Sequence, residues 1–285
     1  MPTYATFLHV TDAHIASAGT PLPRDDLKVA VSGIPEATRE DALDLLFGRL
    51  AHRLASENRK LDGVIFSGDA QDRGRPGGHE LLFDMIIKHF GPLGISAERV
   101  IAVPGNHDVP RGSPPGSAER YKAFLETWRA AGCITPWLDG VDGNPPPPAE
   151  QSRHRLVSAD RRWAFFPINS SNWSHVASIL PEPLRDVWAN IPEAVAGGDR
   201  AKENAVRTQL ESLAMYDMAR VSPAQLEVLR AIIEGAPRPG DGGQLRLAVL
   251  HHHLRAPTLR EEVKTFADIS NLEQVRAFLR DHGIK

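Results

Sequence analysis

Residues 63–73 read Gly63-Val64-Ile65-Phe66-Ser67-Gly68-Asp69-Ala70-Gln71-Asp72-Arg73. Val64 to Phe66 is a short apolar run of β-prone residues, which reads as a buried strand. The run stops on Gly68-Asp69, where glycine permits a tight turn or a close backbone approach and Asp69 emerges at the strand end. The same layout recurs on both sides. Upstream, Ala5-Thr6-Phe7-Leu8-His9-Val10-Thr11 runs into Asp12-Ala13-His14, and downstream Val100-Ile101-Ala102-Val103 runs into Pro104-Gly105-Asn106-His107-Asp108. Helices are predicted between them. Thr38 is an N-cap with Asp41 in the capping-box position. Leu43, Leu46, Phe47, Leu50 and Leu54 then follow at helical spacing to about residue 58, and Leu81, Leu82, Met85, Ile86 and His89 mark a second helix. Strand alternating with helix predicts an α/β layer with a largely parallel sheet, and in such sheets chemistry collects at the carboxyl ends of the strands.

Further along, the pattern loosens. Residues 110–117 and 139–150, with Pro145 through Pro148, read as loops. Tyr121, Phe124, Leu125 and Trp128 suggest a helix between them. Residues 155–169 hold strand-like stretches ending on Ile168-Asn169, and 173–220 reads as an insertion covering part of the core. Ser222-Pro223-Ala224-Gln225 starts a helix, with Pro at the first turn and Gln in the capping-box position. Leu245 to Leu250 is a strand running into His251-His252-His253, and Asn271 opens a last helix.

Composition narrows the function. The net charge is −3 over 285 residues, which disfavours a globally basic nucleic-acid binder. No apolar run approaches the ~18 residues of a membrane span. The single cysteine, Cys133, cannot form an internal disulfide, which with the absence of a signal-like N-terminus predicts a cytoplasmic protein. Four strand ends, in chain order, present Asp12 and His14, then Asp69, then Asn106, then the histidine run. If the chain stays extended, Asp12 and His14 project the same way. Mixed carboxylate, amide and imidazole donors suit divalent Mn, Fe, Zn or Mg.

His9-Val10-Thr11-Asp12-Ala13-His14, Gly68-Asp69-Ala70-Gln71-Asp72-Arg73, Gly105-Asn106-His107-Asp108 and Leu250-His251-His252 resemble the successive blocks of the calcineurin-like metallophosphoesterases. The nearest likeness within that superfamily is the cyclic-nucleotide and glycerophosphodiester phosphodiesterase branch. Ile168-Asn169-Ser170-Ser171 and the helix carrying Gln225-Leu226 are softer likenesses. The resemblance covers about residues 5–110 and 160–285. It implies a β-sandwich flanked by helices, an α/β/β/α four-layer fold, as a single domain over 1–285 with insertions at about 111–160 and 173–220. It implies a phosphoesterase that hydrolyses phosphodiesters through water activated by two divalent metal ions, on a substrate that includes nucleotides or nucleic acid in its range.

The roles it implies run position by position. Asp12 and His14 bind a first ion, Asp69 bridges both, and Asn106 binds the second with His251, or alternatively His252. His107 contacts the phosphate or protonates the leaving oxygen, and Asp108 orients it. Asp72 stands behind the ligands, and Arg73 makes a local structural or phosphate contact. One family block, a Gly-His-x-His on a strand after the last helix, has no counterpart before Lys285: Asp281-His282-Gly283 has the order reversed and follows a helix. The expectation drawn from this is a chain short of its last strands, with the remaining ligands coming from a longer product with further C-terminal sequence, from a homo-oligomeric partner, or not at all. Two other readings stand beside the phosphodiesterase. One is a metal-dependent nuclease using Arg153, Arg155, Arg161 and Arg162 as a local patch. The other is a non-catalytic interaction domain using Trp128, Trp137, Trp173 and Trp188 as a contact surface.

Overall fold

Side chains alternate across a strand, so each apolar strand must bury two faces, and here those two faces meet different partners. The computed structural model describes residues 4–15, 38–72, 74–110, 113–174, 182–214, 218–240, 243–254 and 269–285. β1 (Phe7–Val10), β2 (Gly63–Phe66) and β3 (Val100–Ala102) form a parallel sheet in that order. α1 (Arg39–Ser56) and α2 (Gly78–Phe90) are the crossovers. Strands added in sequence with right-handed crossovers place both helices on one face. On that face Val64, Phe66 and Val100 pack with Phe47, Leu82, Ile86 and Phe90. Each such large side chain, once buried, contributes about 1.5–3 kcal/mol.

The opposite face carries Phe7, Ile65, Ile101 and Val103, and it meets a second sheet through Phe165, Leu247 and Val249. That sheet is β4 (Leu156–Val157), β5 (Trp163–Pro167) and β6 (Leu245–Val249), with β4 antiparallel and β6 parallel to β5. Its outer face, Ala164, Phe166 and Ile168, is covered by α6 (Pro223–Glu234) and α7 (Leu272–Asp281) through Leu229, Ile232, Val275 and Leu279. The layers are therefore helix, sheet, sheet, helix, as the resemblance implies. After α7, Lys285 donates to the Arg246 carbonyl and Ala248 donates to the Lys285 carbonyl, so the chain pairs with the edge of β6 away from β5.

Thr38 Oγ1 accepts from the Asp41 amide and Asp41 accepts from the Thr38 amide, a complete capping box. At α6 only half of the predicted box forms. Ser222 Oγ accepts from the Gln225 amide, but the Gln225 side chain turns away from Ser222. Gln225 Oε1 accepts from the Asn169 amide at 2.6 Å and its Nε2 donates to the Asn169 carbonyl at 2.9 Å. A buried amide bridging another backbone satisfies more otherwise orphaned groups than a second cap bond. Asn271 likewise bonds both backbone groups of Val221 instead of capping α7.

The stretch around Trp128 is not an appended surface. A 3-10 turn (Ala118–Tyr121), α3 (Lys122–Phe124) and a π turn (Leu125–Arg129) run on from one another. Tyr121, Phe124 and Trp128 are buried against the first sheet, and Trp128 stacks on Phe66 with ring centroids 4.9 Å apart. Trp137 is buried with the second sheet, while Trp173 is half-buried under the Arg220 guanidinium. Ile134 pairs with Val100 and Ala102, covering the edge of β3. The irregular 173–220 stretch contains α4 (Glu182–Ala196) and α5 (Arg200–Ala214), which pack on each other. The Trp188 side chain lies outside the described residues.

His154 is buried, and its Nδ1 sits 2.9 Å from the Thr135 carbonyl. A carbonyl only accepts, so Nδ1 carries the proton. Burial depresses its basicity, and the Thr135 bond only partly offsets that. A histidine whose folded pKa is lowered gives its full stabilisation above the unfolded value of about 6.5 and loses it as pH falls. Urea melts of wild type and His154→Gln between pH 7.5 and 5.5 should show wild type losing its advantage on acidification, by at most about 1.4 kcal/mol per pH unit. A difference that does not change with pH would contradict this.

Candidate metal centre

β1, β2, β3 and β6 all point their carboxyl ends to one edge of the sandwich. β1 and β2 stay together past their ends: the Asp12 amide donates to the Gly68 carbonyl (3.0 Å), His14 to Asp69 (2.9 Å) and Ile15 to Ala70 (2.7 Å). The two chains manage this only by coiling. Asp12, His14 and Asp69 have φ of 54°, 46° and 61°. The sequence reading brought Asp12 and His14 together along an extended strand; they converge instead through left-handed backbone. Asp and His tolerate that region better than most residues, yet each such residue costs about 1–3 kcal/mol and persists where the surroundings enforce it.

Asp69 is the centre of the cluster, and it is buried. Its Oδ2 lies 3.7 Å from His14 Nε2 and 3.4 Å from His251 Nε2, while Asp12 Oδ1 is also 3.7 Å from His14 Nε2. His251 Nε2 is 2.9 Å from Asn106 Oδ1. Two groups of donor atoms result, His14 with Asp69 and His107, and Asp12 with Asp69 and His251, sharing Asp69. Asp12 thus lies beside His14, with which the sequence reading pairs it, and also groups with His251 about Asp69. Asn106 adds its amide oxygen on the His251 side.

Two glycines make this convergence possible. A Cβ on Gly68, whose φ is 105°, would stand 2.6 Å from His251 Nδ1. A Cβ on Gly105 would overlap the Asp69 carboxylate. His251 Nδ1 sits 2.8 Å from the Ser67 carbonyl, so that nitrogen carries the proton and Nε2 faces the carboxylates. A backbone carbonyl behind a histidine is the usual way to aim its other nitrogen at a metal.

The electrostatics fit a divalent cation. Burial alone would lower the basicity of His251, but the Asp69 carboxylate, with Asp12 and the Ser67 carbonyl, outweighs it and raises the pKa to about 9. His14 is raised too, against burial, by Asp12 and Asp69. Asp12 is held well below the usual carboxylate range, chiefly by His14. Asp69 is lowered despite its burial, His251 being the largest favourable influence. The carboxylates raise the proton affinity of both imidazoles, a charge-balancing role that a divalent ion would take over on binding. Among the described residues, buried His14 Nδ1 has no hydrogen-bond partner. Donors of this kind, at 3.4–3.7 Å from one another, fit divalent ions.

The other predicted residues have separate positions. His107 is half-buried, its ring edge-on to His14 at 4.7 Å between centroids, with Nδ1 3.8 Å from Asp72 Oδ1. Arg73 lies outside the described residues. His252 faces away from Asp69, its Nδ1 2.8 Å from Ser170 Oγ, and His253 is exposed. Asp108, read from sequence as orienting His107, uses its carboxylate on backbone: Oδ2 accepts from the amides of Asp69 and Gly105, and Oδ1 from Gln71, all at 2.8–2.9 Å. Behind it lies a pair that the sequence reading missed. Buried His79 has Nε2 3.6 Å from Asp108 Oδ1, and its Nδ1 accepts from Trp128 Nε1 at 2.9 Å. His79 appears in the sequence as a periodic helix residue, and nothing local marks its partner.

A family model described as calcineurin-like phosphoesterase matches residues 5–285, and the chain belongs to that family. Membership makes it a metal-dependent phosphoesterase in general terms. No curated protein matches the chain.

Asp108→Asn keeps the shape but turns an NH₂ toward amides that need an acceptor. The variant should lose about 1–3 kcal/mol of stability for the amide left unsatisfied, read in chemical denaturation of the metal-free protein. Unchanged stability would contradict the bracing role.

Proposed function

We propose that this calcineurin-like phosphoesterase hydrolyses phosphodiesters at two divalent ions that share Asp69. The observation that carries the reading is that buried Asp69 lies in both clusters, beside His14 in one and beside Asp12 and His251 in the other. Asp12, His14, Asp69, Asn106 and His251 are the proposed ligands. Bound divalent ions at such a centre neutralise phosphoryl charge and lower the pKa of water, supplying the nucleophile for in-line displacement.

The chain's own residues do the rest. His107, half-buried beside Asp72, hydrogen-bonds the phosphoryl group and hands a proton to the leaving oxygen. Asp72 holds the Nδ1 side of that ring. General-acid help of this kind is worth about 10²–10⁴ in rate. Asp108 and His79 touch no substrate in this scheme; they hold the loops that carry Asp69 and Asn106. A cytoplasmic setting suits Cys133, which is buried and whose thiol burial pushes up to about 12.

The nuclease reading draws little support from the arginines. Arg161 and Arg162 precede β5, at the end of the sheet away from Asp69. Arg155 donates to the Ile232 carbonyl and to Gln151. The interaction-surface reading loses Trp128 and Trp137, both of which are core.

The test is hydrolysis of a bis-aryl chromogenic phosphodiester with Mn²⁺. Asp69→Ala should abolish both turnover and tight Mn²⁺ binding, and His107→Ala should lower kcat by about 10²–10⁴ while retaining its metal. Asp69→Ala hydrolysing at the wild-type rate would sink the reading. Cleavage of single-stranded DNA with no turnover of the small diester would favour the nuclease.

A further inference from the structure

The sequence His251-His252-His253 offers a choice of imidazoles, and only one faces Asp69. Strand alternation sets up that choice. Along β5, β6 and the residues just after them, Phe165, Leu247 and Val249 face the first sheet, while Ala164, Phe166, Ile168, Ala248 and Leu250 face the α6 and α7 layer. Continued beyond Val249, the alternation sends His251 toward the first sheet and His252 toward the helices. A slip of one residue would exchange the two rings, because the side-chain period is two. β6 ends at Val249, before either histidine, so the strand ladder alone does not fix their placement.

The neighbouring strand supplies what the ladder lacks. The parallel register pairs Pro167 with Val249, and the same offset carried three residues on pairs Ser170 with His252. At that position Ser170 Oγ lies 2.8 Å from His252 Nδ1 and accepts from the His252 amide at 3.3 Å. Ser170 is itself fully buried and tied on both sides. The Arg220 amide donates to its carbonyl at 2.9 Å, and adjacent Ser171 Oγ donates to the Pro104 carbonyl at 3.1 Å. Pro104 directly precedes Gly105-Asn106. One turn after β5 thus grips both ligand-bearing loops, the one holding Asn106 and the one holding His251.

We infer that Ser170 is a positioning residue: its hydroxyl pins His252 on the helix side of the second sheet and thereby assigns His251 to the metal centre. The inference rests on the proposed role of His251 as a ligand. It concerns the choice between adjacent histidines, and it calls for a hydrogen-bond acceptor at the Nδ1 position of residue 252.

The full chain would be titrated with Co²⁺, followed by visible absorption and chelator competition. His252→Asn keeps a polar atom near the Nδ1 position; His252→Phe keeps the ring without it. Ser170→Ala and His252→Phe should bind Co²⁺ about 10–100-fold more weakly, the scale of effect when the support that orients a metal-ligating histidine is lost. His252→Asn should bind like wild type. In the metal-free protein, ¹⁵N spectra of the His252 ring should shift in Ser170→Ala, which reads the bond without any ion. An unshifted ring, or Co²⁺ affinity unchanged in both Ser170→Ala and His252→Phe, would overturn the assignment while leaving the centre intact. His252→Asn as weak as His252→Phe would overturn it too, marking His252 as a ligand. Wild type failing to bind Co²⁺ at all would remove the centre, and this inference with it.

Discussion

Loops leaving adjacent parallel strands diverge unless something ties them, and a metal centre built from four strand ends needs them tied closely. Here the tie is the Asp108 carboxylate, which accepts amides from Asp69 and Gln71 after β2 and from Gly105 after β3. A buried charge is expensive unless it is fully hydrogen-bonded, and three backbone donors meet that requirement. The tie brings Gly105 so close to Asp69 that no side chain fits between them. It also places the His107 amide 2.8 Å from Asp69 Oδ1. The left-handed residues Asp12, His14 and Asp69 are held in the same region. Their strain is offset by the rigid sandwich below.

The second constraint is charge. Two carboxylates, one of them buried, share a small space with three imidazoles. The Asp12 and Asp69 carboxylates raise the proton affinity of His14 and His251, and a divalent ion held by these residues would take over that charge-balancing role.

Much of this was legible in the sequence, for specific reasons. Val64-Ile65-Phe66 and its two counterparts are apolar on both faces, so they announce buried parallel strands, and the polar residues after them announce strand ends. The Thr38–Asp41 box was readable because both partners are local. What stayed hidden depends on contacts between distant residues. Gln225 looks like a cap partner until Asn169 comes within reach. Asp108 looks like a partner for its neighbour His107 until the amides of Asp69 and Gln71 arrive. His79 and Trp128 meet across 49 positions. The sequence reading puts His251 first with His252 as the alternative, and the parity set by Val249 favours the same order once the facing sheet is known.

The proposed two-ion centre turns on Asp69 as the shared carboxylate. Anomalous diffraction from Mn²⁺-loaded crystals of the full chain addresses that directly. Two peaks, both in contact with Asp69 and flanked by Asp12, His14, Asn106 and His251, are the predicted result. A single ion, or ions bound without Asp69, would contradict it.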